Sequence, residues 1–349
     1  MIVFILLSVI KVLLVILSGV WVTIIFSLGY RKRRLKKLNN IEQVFAEICS
    51  DYLYPVPGEA PELVSIQRRF RKLGIVPSEP GNVQYLIDLM IRTQRSLLGE
   101  NYLKLEILFH QIPPYRVSIG KLKSKKWWIK ARGIREIYEM DQEQYINQII
   151  KERNNKNIYV RREAQIAMVV FLGWESLRFL PYLKREMTLW QQIKVVEKLH
   201  DLYPEHQLRL LKNGFKSDRA YANELLMRII RKFNIESEID FIIGYLDDSK
   251  FDTRETALYC ISTFKLNEEK LKQVQNKFFN IPNTEQRIQL LKYLNGISEI
   301  NNPDFYKKLL YSENDIIKLT TAEILWKNGY IEEVQEFYYQ QYTNQPLKV

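Results

Sequence analysis

Histidine, cysteine and clustered carboxylates are the side chains that most often hold metals or carry out acid–base and covalent chemistry, and this chain uses them sparingly. Its histidines are His110, His200 and His206. Zinc pairs on a helix sit on adjacent turns, and the step from His200 to His206 does not provide that spacing. All three read as structural or exposed histidines. Cys49 and Cys260 stand far apart in apolar surroundings, so they form neither a disulfide framework nor a ligand pair, and a reducing compartment suits them. Asp247, Asp248 and Asp252 make a small acidic loop without the ligand spacing of an EF-hand, and Asp252 is expected to cap the helix that follows. No phosphate-cradling glycine loop, dinucleotide fingerprint or nucleophile elbow occurs. The sequence thus predicts no catalytic, cofactor-binding or metal-ligating residue, and a protein that is not an enzyme.

One local pattern does carry recognition chemistry. Lys121, Lys123, Lys125 and Lys126 run into Trp127 and Trp128, followed by Lys130, Arg132 and Arg135. Adjacent tryptophans beside lysines could lie at a bilayer interface, stack on a polar ligand, or anchor an acidic partner. The plainer reading has a tryptophan starting a helix and packing inward while the lysines form a solvated loop.

The chain's 349 residues carry a formal charge of +12, with 46% apolar residues, 13 Gly and 12 Pro. That balance suits packed helices better than a turn-rich sandwich. The positive charge is local: residues 31–37 and 121–135 hold almost all of the excess, and 136–349 is close to neutral. A groove that tracks phosphates needs basic residues spaced along its length, so nucleic acid is not the expected partner.

Residues 2–28 are apolar apart from Ser8, Lys11, Ser18, Thr23 and Ser27. As a helix they would extend about 40 Å, more than the hydrocarbon core, so one membrane span is expected, either tilted or with an overhanging end. A cleaved signal peptide would carry its basic residues before the apolar run. Here Arg31, Lys32, Arg33, Arg34, Lys36 and Lys37 follow it. The positive-inside tendency then places the N-terminus outside and the large domain in the cytoplasm, and the same six residues can gather anionic lipid. Lys11 either snorkels to the outer interface or meets another membrane helix, the first being preferred.

Seven segments with a shared pattern follow: 128–138, 160–171, 189–199, 218–230, 252–264, 284–294 and 315–325. Taking Gly133, Ala164, Val195, Ala222, Ala257, Leu290 and Thr321 as anchors, the spacings average about 31 residues, the range of stacked helical pairs. Second apolar helices at 145–152, 238–246 and 271–279 make each unit helix, turn, helix, with Pro181, Pro204, Pro282 and Pro303 near the joins. Asp252-Thr253-Arg254-Glu255 has the form of a capping box. Val160-Arg161-Arg162-Glu163-Ala164 and Asp252-Thr253-Arg254-Glu255-Thr256-Ala257 resemble the HEAT-repeat class, with its Arg shortly before a small residue, over roughly 127–335. The resemblance implies a scaffold or adaptor and carries no catalytic residue. Some HEAT-like proteins act on DNA or attach chromophores, so fold alone does not fix function.

The expected fold is all-α: a single transmembrane helix followed by a right-handed α-solenoid of HEAT-like helix pairs. The segments are an anchor at 1–30, a basic juxtamembrane stretch at 31–37, a helical cap or degenerate repeats at 38–126, the repeat array at 127–340 and a tail at 341–349. Within 38–126, helices are expected at 38–53, 60–73, 80–97 and 100–111. The expected role is a single-pass, cofactor-free scaffold or adaptor holding an unidentified protein at a bacterial inner membrane, in an envelope or secretion assembly. The rivals are a nucleic-acid-binding HEAT-like module or enzyme, and a membrane-linked enzyme without a recognisable motif.

Overall fold

The structure, a computed structural model, describes residues 2–55, 62–97, 99–215, 217–297, 302–312 and 314–343. No strand occurs among them. The helices are α1 (Ile2–Leu53), α2 (Leu63–Lys72), α3 (Pro80–Gln94), α4 (Glu100–Gln111), α5 (Pro113–Leu122), α6 (Trp127–Glu139), α7 (Ile146–Ile150), α8 (Ile158–Leu172) and α9 (Leu189–Leu202). They continue as α10 (Leu208–Gly214), α11 (Ala220–Lys232), α12 (Ile239–Gly244), α13 (Phe251–Ile261), α14 (Glu268–Phe278), α15 (Thr284–Ile297), α16 (Pro303–Leu310), α17 (Asp315–Lys327) and α18 (Ile331–Thr343). Pro80, Pro113 and Pro303 each open a helix, where the missing N–H has no intrahelical partner to lose. Gly74, at φ +73°, closes α2 with Ile75 N–H donating back to the Phe70 carbonyl, a left-handed stop that other residues adopt at a penalty.

The chain divides into two compact units, Met1–Ala167 and Met168–Val349. In the first, α1 is one unbroken helix from the apolar run into the core. The basic stretch 31–37 is therefore a turn-by-turn continuation of that helix and not a linker, because Arg, Lys and Leu are good helix formers and no Pro interrupts them. From Leu13 to Leu28 the large apolar side chains are exposed, and the helix is long and apolar enough to cross a membrane. Its last turns instead bury Ile41, Phe45, Ile48 and Leu53 against Ile66 and Phe70 of α2, Leu86, Ile87 and Met90 of α3, and Leu105 and Phe109 of α4. The Lys11 side chain lies outside the described residues, as do 344–349 of the expected tail.

α5 and α6 form a tight antiparallel pair across the 126/127 boundary set from the sequence. Gly133 permits the approach: a Cβ there would stand 2.5 Å from Lys121 Cβ and 3.1 Å from the Ser118 carbonyl oxygen.

All seven repeat segments fall on helices: α6, α8, α9, α11, α13, α15 and α17. In the second unit α9, α11, α13, α15 and α17 each pack on the next, while α12 packs on α14. A continuous apolar core runs from Val169 to Phe337. Residues 173–182 are a 3₁₀ helix containing Pro181, and 236–238 another, so some second elements are shorter and tighter than the expected α-helices.

The recurring Arg has a structural task. The Arg161 guanidinium donates to the Asn155 carbonyl at 2.9 Å, Arg254 to the Asp248 carbonyl at 2.7 Å, and Arg287 to the Ile281 carbonyl at 2.5 Å, in each case six residues upstream. Each closes the loop that enters its helix. Arg254 also donates to the Ser249 carbonyl and to Gln286, which ties α13 to α15. The expected capping box at Asp252 is not formed. α13 begins at Phe251 with no side-chain cap, placing Asp252 inside its first turn, and the entry loop is held by Lys250 N–H donating to Asp248 and by Arg254. A capping box does form at Thr188 and Gln191, opening α9.

Candidate functional site

The basic–aromatic stretch resolves into two groups. Lys121 turns inward: its ammonium lies 2.6 Å from Glu136, and the two side chains are 12% and 2% exposed. Glu136 also accepts from Ser118 at 2.7 Å and Gln84 at 2.8 Å. Burial lowers the Lys121 pKa while Glu136 works to raise it, and burial is the larger effect. Lys130 pairs with Glu152 at 2.5 Å, and Arg132 with Asp88 at 2.8 Å and Glu136 at 3.3 Å. These cations hold the unit together.

Lys123, Lys125 and Lys126 differ. All three are exposed, and none joins an ion pair among the described residues. Trp127 and Trp128 open α6 and are 42% and 53% exposed, so neither packs into the core. Trp127 stacks on Tyr159 with ring centres 5.0 Å apart and meets Trp128 edge-on, and the Lys126 ammonium lies 5.7 Å from the Trp128 ring. Ile158 and Tyr159, at the start of α8, are exposed beside them. Arg31, Lys32, Arg33, Arg34, Lys36 and Lys37 are likewise exposed on α1, and Lys37 reaches Glu79 at 2.5 Å.

A second surface was not legible as a site in the sequence. An open groove of about 1440 Å³ runs across α9, α11 and α13 in the second unit. A polar ladder runs along and beneath its floor and links the three helices. Gln192 donates to Glu224 at 3.0 Å, Thr253 donates to the same carboxylate at 3.2 Å, and Arg228 donates to Gln192 at 3.0 Å and Thr256 at 3.1 Å. Leu189, Phe251 and Tyr259 supply exposed apolar surface, and the Arg231 guanidinium lies 4.0 Å from the Tyr259 ring centre. Basic and acidic residues line the groove in equal number. The only signal for it in the sequence is the run of polar residues on the first helices, and that run reads equally well as a solvated face.

No histidine lines this groove, and no group of three or more metal-ligating side chains occurs among the described residues. Cys49 and Cys260 are buried, free thiols whose pKa burial pushes up to about 12, which leaves them protonated and poor nucleophiles. His110 lies 3.9 Å from Glu106 in the first unit, where burial and the nearby Asp141 raise the Glu106 pKa to about 7. Asp247, in the acidic loop, pairs with Lys277 at 2.7 Å.

The sequence matches no protein-family model and no curated protein.

Proposed function

We propose that this chain is a membrane-tethered scaffold or adaptor. In this reading α1 spans the membrane, the second unit is a right-handed, HEAT-like α-solenoid on the cytoplasmic side, and the groove over α9, α11 and α13 receives a segment of a partner protein. The observation that carries the reading is the groove itself. It has a hydrogen-bonded polar floor, exposed Leu189, Phe251 and Tyr259 at its surface, and charges of both signs available to a polypeptide. Its mixed lining offers no basic track for a phosphate backbone. The exposed apolar surface of α1 from Leu13 to Leu28 supports tethering, since such a surface is stable in lipid and not in water. The six basic residues after it support the cytoplasmic placement, and the membrane proposed is a bacterial inner membrane.

The test is affinity capture of the full-length protein from crosslinked native membranes, comparing the wild type with a Phe251→Ala, Tyr259→Ala variant. Both side chains are exposed, so the variant keeps the core intact. The reading expects a defined protein captured by the wild type and lost from the variant. Identical capture by both forms would remove the groove as the binding surface.

A further inference from the structure

We propose that the exposed turn at 123–126, with Trp127, Trp128, Ile158 and Tyr159, docks on anionic lipid headgroups beside the anchor. The inference rests on the membrane-tether part of the reading above and is independent of the groove.

Charge and chemistry both favour a lipid surface. The other cations of this stretch are paired with Glu136, Asp88, Glu152 and Glu139, whereas Lys123, Lys125 and Lys126 project from one short turn with no ion pair among the described residues. Directly against them stands a shelf of Trp127, Trp128, Ile158 and Tyr159, four exposed side chains clustered at the starts of α6 and α8. Tryptophan and tyrosine are amphipathic, with an apolar ring and one polar group, and suit the boundary between headgroup and acyl chain. Lysines beside them match anionic headgroups as compact point charges, without the fixed fork that a single protein carboxylate would favour.

The fold also puts the turn near the anchor. Lys37 meets Glu79, and Tyr85 donates to Glu42 at 3.1 Å, so α3 runs alongside α1 in the same direction, away from the apolar run. Lys121 is bonded to Gln84. Measured along α3, Gln84 lies about 8 Å from Glu79 at 1.5 Å per residue. The α1–α3–α5 packing thus holds Lys121, which leads into the turn, level with the part of α1 just beyond its basic stretch. The apolar run of α1 exceeds the hydrocarbon thickness, and in this proposal the excess is taken up by a tilt toward this flank, which sets the lysines and tryptophans on the headgroups. Tethering raises the local lipid concentration, so modest affinity suffices.

The experiment places full-length protein in nanodiscs of phosphatidylcholine alone or of equimolar phosphatidylcholine and phosphatidylglycerol, each with and without chain-brominated lipid. Tryptophan fluorescence is compared with that of a Trp127→Phe, Trp128→Phe variant, which isolates the contribution of the pair from Trp21 in the anchor and from Trp174, Trp190 and Trp326. Docking predicts that bromolipid quenches this contribution by at least half in the anionic discs and less in the neutral ones. It also predicts that Lys123→Glu, Lys125→Glu, Lys126→Glu abolishes that quenching. These three side chains make no ion pair among the described residues, so the variant keeps its structure. An unquenched pair in both compositions overturns the inference, as does equal quenching in the triple variant. Loss of this quenching with groove-dependent capture intact would leave the adaptor reading standing.

Discussion

The Lys121 ammonium sits 2.6 Å from the Glu136 carboxylate, with Ser118 and Gln84 donating to the same two oxygens. A lysine that belongs to an exposed basic run in the sequence is thus the closure of a nearly buried network joining α3, α5 and α6. Taking away one member of such a pair strands the other charge. Lys121→Met and Glu136→Gln are each expected to destabilise the protein by about 3–5 kcal/mol, and the double change by less than their sum. Denaturant unfolding in detergent measures this. Losses under about 0.5 kcal/mol, the scale of exposed pairs, would contradict it.

Arg254 and Arg219 occupy the same register, each three residues before an anchor alanine, yet only Arg254 is buried. Arg254→Lys keeps the charge but gives up the forked contact with the Asp248 and Ser249 carbonyls. The expected loss is about 2–3 kcal/mol, from carbonyls left without a donor. Arg219→Lys is expected to change stability by less than about 0.5 kcal/mol. Equal effects in thermal unfolding would show that the upstream carbonyl bond is not the reason for this Arg.

These two cases show what the sequence could and could not reveal. The apolar periods at 160–171, 252–264 and 284–294 located α8, α13 and α15, because the helical repeat of buried residues is a local property. The fates of Lys121, Lys123 and Lys125 were not separable, because what distinguishes them is Glu136, fifteen residues beyond Lys121, and the Gly133 crossing that brings it in. The groove was invisible for the same reason: Gln192, Glu224 and Thr253 become neighbours only after α9, α11 and α13 pack side by side. Asp252 misled by local resemblance, since a carboxylate three residues before a glutamate is equally at home one turn into a helix.

Gly133→Ala places a Cβ against Lys121 and the Ser118 carbonyl and is expected to destabilise by about 1–3 kcal/mol through overpacking. Gly296, in α15, has nothing within 4 Å of the added atom. Gly296→Ala is expected to stabilise by about 0.5–1 kcal/mol through helix propensity alone. Opposite shifts in unfolding temperature support the close α5–α6 crossing, and a harmless Gly133→Ala contradicts it.

Glu106 supplies a pH dependence with a defined sign. Burial and Asp141 raise its folded pKa to about 7 from 4.5, so the folded state holds a proton that the unfolded state has already released. Stability contributed by this group therefore falls as pH rises through that window. His110, pushed down by burial, acts oppositely, its contribution rising with pH through the ordinary histidine range. Glu106→Gln removes only the first effect. The wild type should lose unfolding midpoint relative to this variant between about pH 5 and pH 7, and parallel profiles would contradict the assignment.

The central claim is that the groove over α9, α11 and α13 holds a polypeptide. The most direct measurement replaces Tyr259 with a photoreactive phenylalanine in the full-length, membrane-inserted protein and compares it with the same replacement at Tyr311, exposed elsewhere in the second unit. A discrete protein adduct formed at position 259 and absent at position 311 is the predicted result. No protein adduct at position 259, or the same adducts from both positions, would contradict it.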